Sequence, residues 1–278
     1  GKKPALTHFL CLPLVDQSSR PELEESLGNF RLEVSGGSHG ERDTPHVPAG
    51  AIRPVGSIHL TIGVMSLKEE GRVDEAVRYL QSLNAAALFA PFAALDGSDT
   101  KSMERCSSGL TIDLISLHPM QSAKATTILY ASPAEPTNCL YTIANKLRKL
   151  FTDAGFLLPD TRPLKLHATI VNTIYVKGRD QTPETGPVPD SVSAAAKERL
   201  PFTDPSASPG PTSKLHTRRL PPLKLDARSL IEMYKDNIWA RNIVIDRVAF
   251  CEMGAKNVLN DNGEVVDQVY REVASIPL

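Results

Sequence analysis

The sequence predicts an α+β fold in two mixed, largely antiparallel lobes, and three observations carry that reading. Short runs of strand-forming residues alternate with amphipathic helical stretches. The order reads strand, helix, strand, helix, strand, strand, helix, strand, an insertion, then helix, strand, strand. Two of the strands also carry one repeated motif, so each lobe contributes one copy. With 278 residues, 41% apolar and 23% charged, the chain is long enough to bury one bilobal domain spanning 1–278.

His8 to Leu14 reads as a short buried strand. Ser19-Arg-Pro-Glu22 then has the capping-box pattern, with proline in the first turn and Leu23, Leu27 and Phe30 at helical spacing. Ser35 to Gly50 is rich in glycine and proline and predicts a loop, followed by a strand from Val55 to Met65. Val73, Val77, Leu80 and Leu83 mark an amphipathic helix over Arg72 to Leu83. Leu110, Ile112 and Leu114 alternate with polar residues, and Thr126 to Tyr130 is rich in strand formers, so two strands follow.

Asn138 to Ala154 carries the clearest helical stripe, Leu140, Ile143, Leu147 and Leu150, with Gly155 placed to cap it. Leu164 to Val171 is the second motif strand. Between Lys177 and Pro222 periodicity is lost among prolines, serines and glycines, so 177–222 reads as a flexible proline-rich insertion. Asp226 to Lys235 resumes as helix and Ile243 to Met253 as strand. Asn260-Asp-Asn-Gly263 is a turn signal leading to a last strand over Val265 to Ala274.

The formal net charge of −1 provides no whole-protein field to gather long nucleic acid. A nucleic-acid partner is therefore expected to be an RNA end, an oligonucleotide or a mononucleotide gripped locally. Cys11, Cys106, Cys139 and Cys251 form no paired motif, which argues against a zinc or redox centre and for reduced cysteines in an intracellular, nuclear or cytoplasmic protein. No apolar run approaches the roughly 20 residues that span a bilayer.

Among seven histidines, His59 and His167 alone have threonine at plus two between apolar neighbours, in His59-Leu-Thr-Ile62 and His167-Ala-Thr-Ile170. On a strand each histidine shares a face with its threonine, Thr61 or Thr169, while Leu60, Ile62, Ala168 and Ile170 face the core. Two such strands facing each other across a cleft present two imidazoles and two hydroxyls to one anion. A neutral imidazole can take a proton from the attacking oxygen while a protonated one supplies the departing oxygen, and the hydroxyls hold the phosphate. That scheme uses no metal and no cofactor. A single strand histidine is more often a hydrogen-bonded, half-buried residue; the matched pair favours catalysis.

The paired His-x-Thr strands resemble the two-histidine (2H) phosphoesterase superfamily. Thr7 to Leu14, Ile52 to Leu67, Lys165 to Asn172 and Phe250 to Gly254 resemble its A-kinase-anchor-protein-like phosphoesterase domain over nearly the whole chain. The resemblance implies a bilobal RNA ligase-like fold, two mostly antiparallel sheets with flanking helices around a central cleft. It also implies His59 and His167 as the catalytic pair and Thr61 and Thr169 as phosphate-binding residues. The implied substrates are 2′,3′-cyclic phosphates or 2′,5′-linked oligonucleotides.

Weaker candidates are Lys165, on the face of His167, and Phe9, Tyr130, Tyr175 and Trp239 as stacking partners for a base. Arg218-Arg219 with Lys214 and Lys224 form a basic cluster. The competing reading is a nucleotide- or RNA-binding scaffold module of a larger protein complex with little catalysis. Ligation ranks below both, because no energy-coupling nucleotide motif is present. A monomer without membrane association is expected.

Overall fold

The computed structural model describes residues 4–35, 46–84, 88, 109–176 and 222–278. The insertion expected at 177–222, apart from Pro222, lies outside the described residues, as do Lys214, Arg218 and Arg219.

Among the described residues, ten strands are present: β1 (His8–Pro13), β2 (His59–Met65), β3 (Leu110–Pro119), β4 (Ile128–Ala134), β5 (Ala168–Asn172), β6 (Ile238–Ile245), β7 (Arg247–Glu252), β8 (Lys256–Leu259), β9 (Val265–Val269) and β10 (Glu272–Pro277). The α-helices lying within the described residues are α1 (Arg20–Ser35), α2 (Arg72–Ser82), α3 (Cys139–Asp153) and α4 (Arg228–Met233). Eight strands form one antiparallel sheet in the order β10-β7-β1-β2-β5-β4-β3-β6, and β8 and β9 form a separate hairpin. The two expected sheets are thus the halves of a single one. β1 and β2 pair over six registered positions, whereas β2 and β5 meet at one, Leu60 opposite Ala168. This thin seam lies between the lobes.

Asp246 alone separates β6, at one end of the sheet, from β7, next to the other. The sheet therefore curls until its two ends approach each other. The sequence pattern had suggested one strand across Ile243 to Met253, because inward-facing residues continue on both sides of that crossing. Similarly, the last expected strand divides into β9 and β10 around Tyr270 and Arg271.

Helices cover the apolar side. Leu23, Leu27, Phe30 and Val34 are the buried stripe of α1, and Leu140, Ile143, Leu147 and Phe151 that of α3. α1 packs on β6, and α3 packs on β2. Trp239 is fully buried between Phe30 and Tyr234 and donates its indole N–H to the Ser116 carbonyl at 2.6 Å, so it belongs to the core and not to a base site. Gly155 takes the left-handed conformation, φ 72°, that ends α3.

The capping box at α1 does not form. Asp16 accepts the Ser18 and Ser19 amides, the Ser19 hydroxyl donates to the Leu14 carbonyl, and Glu22 accepts the amide of distant Arg241. Cys11 and Cys251 are free buried thiols, while Cys139 is disulfide-bonded, which departs from the expectation of four reduced cysteines. Among the described residues, no helix is long and apolar enough to cross a membrane.

Candidate functional site

The seam places the two motifs side by side. Because Leu60 lies opposite Ala168 in antiparallel register, His59 falls beside Thr169 and Thr61 beside His167. Leu60, Ile62, Ala168 and Ile170 are buried beneath, so the four motif side chains share the opposite face. The motif strands are thus neighbours and do not face one another across the cleft, and all four predicted residues come together. His167 itself sits one residue before β5 begins.

The expected strand from Val55 is interrupted. Pro54 leads into a 3-10 turn over Val55–Ser57, and β2 starts only at His59. This turn is gripped from the β8–β9 hairpin. Asp267 accepts the Gly56 amide at 2.9 and 3.1 Å and pairs with Arg20 at 2.8 Å. A Cβ on Gly56 would lie 2.6 Å from the Asp267 Oδ2 and 2.8 Å from the Gln268 carbonyl, so only glycine fits. The turn in turn presents the Ser57 carbonyl, 2.9 Å from His59 Nδ1.

A carbonyl can only accept, so His59 Nδ1 carries the proton and Nε2 keeps its lone pair, 3.0 Å from the Thr61 hydroxyl that donates to it. His167 is oriented in the same way, Nδ1 donating to the Lys165 carbonyl at 2.8 Å. The surroundings differ. The His59 ring is enclosed by Phe9 at 4.9 Å and by the edge of Tyr270 at 5.1 Å. Burial above all, then the positive fields of Arg53 and His167, hold its pKa down to about 4, against the opposing pull of the Ser57 hydrogen bond. His167 meets the edge of Tyr130 at 5.4 Å, and its pKa is also lowered, first by burial and then by the charge of Lys165.

Three residues that sequence reasoning passed over belong here: Arg53, Tyr270 and the turn residue Gly56. Arg53 is only 5% exposed. Its amide donates to Ile170 of β5 at 2.8 Å, and its guanidinium lies 4.1 Å from the centre of the Tyr175 ring. Burial, and next the neighbouring Tyr175, push the Tyr270 phenol up to about 12, against the opposing pull of the Arg53 charge. An arginine within the apolar stretch six residues before His59 was the available signal. Of the weaker candidates, Phe9 and Tyr130 line the site, Tyr175 stands at its edge, and Lys165 holds its ammonium 4.7 Å over the Tyr130 ring. Among the described residues, no group of three or more His, Cys, Asp or Glu could hold a metal ion.

Two His-x-Thr motifs paired across the middle of an antiparallel α+β sheet define the class of the two-histidine phosphoesterases. Residues 6–277 match the model of the AKAP7 2′5′ RNA ligase-like domain, and the chain belongs to that family. An uncharacterized protein of Schizosaccharomyces pombe is 25% identical over 271 residues, covering 97% of this chain and 95% of its own. Among solved structures, a phosphoesterase is similar at 14% identity and TM-score 0.46, covering 99% of both chains. Escherichia coli LigT, solved with 3′-AMP, is similar at 13% identity and TM-score 0.46, covering 98% of both.

Proposed function

We propose that the protein is a metal-independent phosphodiesterase acting on RNA-type or oligonucleotide phosphodiesters, either a 2′,3′-cyclic phosphate or a 2′,5′ linkage. The observation that carries this reading is the Leu60–Ala168 register, which puts two imidazoles and two hydroxyls on one face of neighbouring strands.

His59, kept neutral by its burial and by Arg53, is the general base. On a 2′,3′-cyclic phosphate, its Nε2 takes a proton from water as the water oxygen bonds to phosphorus. The P–O2′ bond breaks, its electron pair stays on O2′, and protonated His167 delivers a proton there. A 3′-phosphate leaves, and the two imidazoles have exchanged protonation states, which solvent resets. On substrate binding Thr61 turns its hydroxyl proton from Nε2 to a non-bridging oxygen, which frees Nε2 for the water, and Thr169 donates to the other as negative charge builds on them.

The test is turnover of cyclic, 2′,5′ and 3′,5′ substrates in EDTA, with His59→Ala and His167→Ala as controls. Each variant is expected to lose about 10²- to 10⁴-fold in kcat. The kcat/KM profile is expected to be bell-shaped, with its acid limb near the His59 pKa of about 4 and its alkaline limb, set by His167, below the usual 6.5. Nucleotide binding without turnover of any substrate would replace this reading with that of a binding module.

A further inference from the structure

Arg53 and Tyr175 also line a cavity of about 880 Å³ between α1, the segment around Ala49 to Val55 and the β8–β9 hairpin. None of His59, Thr61, His167 or Thr169 lines it, while Arg53, whose charge acts on His59, lies 4.1 Å from the centre of the Tyr175 ring on its wall. Its cations are Arg20, Arg31 and Arg53. Arg20 is neutralised by Glu24 at 3.1 Å and Asp267 at 2.8 Å. Arg31 and Arg53 have no carboxylate within ion-pair distance among the described residues. A guanidinium as buried as Arg53 without an acidic partner is costly unless an anion joins it.

The remaining walls suit a base. Tyr175 is 44% exposed with Arg53 against its ring, and Val265 and Val266 of the hairpin are 54% and 60% exposed. Gly28, mid-helix in α1, leaves the floor open, since a Cβ there would meet nothing within 4 Å. A groove with cations along one side and an aromatic face on another is the physical pattern for single-stranded nucleic acid.

We propose that this cavity is a second nucleotide subsite, which holds the base and phosphate of the residue adjoining the reacting linkage; the proposal rests on the phosphodiesterase reading above. Arg53 stands at the boundary, between the reacting phosphate on the His59 side and the next phosphate on the Arg31 side. The enzyme therefore prefers an oligonucleotide end to a mononucleotide.

Two measurements separate this proposal from the reading beneath it. The first compares kcat/KM for a mononucleoside 2′,3′-cyclic phosphate with that for a dinucleotide ending in the same group. The dinucleotide is expected to be favoured about tenfold or more. That ratio is expected to collapse toward one in Arg31→Ala and in Gly28→Leu, which fills the floor. The second is equilibrium binding of a product-like dinucleotide 3′-phosphate against the mononucleotide 3′-phosphate, which reads the subsite whether or not anything is cleaved. Equal binding of the two, or a dinucleotide advantage that survives both variants, overturns the subsite and leaves the catalytic reading standing. A dinucleotide advantage without turnover has the opposite meaning: the subsite holds and the catalytic reading fails.

Discussion

The His59 half of the sheet and the His167 half present the same motif in different settings. His59 is walled by Phe9 and Tyr270, with buried Arg53 nearby, while His167 has one tyrosine edge and an exposed lysine. Both rings use Nδ1 to donate to a backbone carbonyl two residues upstream, so in both neutral rings the lone pair is on Nε2. Orientation is thus set by the repeated part of the structure and protonation by the part that is not repeated. On the proposed reading, this difference in setting is what gives two copies of one motif the separate roles of acid and base.

The sharpest way to break this comparison is to change the leaving group. With a p-nitrophenyl phosphodiester, whose leaving group departs without a proton, His167→Ala is expected to lose less than about tenfold, while His59→Ala still loses about 10²- to 10⁴-fold. Equal losses would reverse or erase the assignment. Next in size are the pH limbs. Removing the charge of Arg53 in Arg53→Gln should raise the His59 pKa and move the acid limb of kcat/KM upward. Lys165→Met should raise the His167 pKa and move the alkaline limb upward. If both variants move the same limb, the two halves are not chemically distinct.

A smaller effect is expected from Gly56→Ala. The added methyl collides with Asp267 and the Gln268 backbone, costing about 1–3 kcal/mol. A melting experiment that finds the variant as stable as the parent would show that the hairpin does not hold the turn. Last is the linkage of His59 to acid stability. Its folded pKa of about 4 lies below the usual 6.5, so the unfolded chain binds the extra proton between those values. Stability is full above about 6.5 and declines as pH falls toward 4, and His59→Gln should flatten that part of the Tm–pH curve. No equivalent change of slope would contradict the burial of the imidazole.

Much of this was legible from local pattern. The period-two alternation around His59 and His167 placed Leu60, Ile62, Ala168 and Ile170 inward, and the 3.6-residue stripes located α1, α2 and α3. What stayed hidden depends on distant chain. The turn at Val55–Ser57 is closed by Asp267, 211 residues away, which no window around the motif contains. Tyr270 reads as one more residue of a last strand until that strand divides and its ring turns onto His59. Adjacency of the two motif strands could not be read either, since a face pattern says which side a residue points to and not which strand lies beside it.

The single registered pair at the seam has one more consequence. The sheet is tied by the fewest paired positions along the line where, on the proposed reading, the phosphate binds. A phosphate gripped from both sides would act as a rivet, stiffening the join between the lobes while bound and releasing it when the product departs.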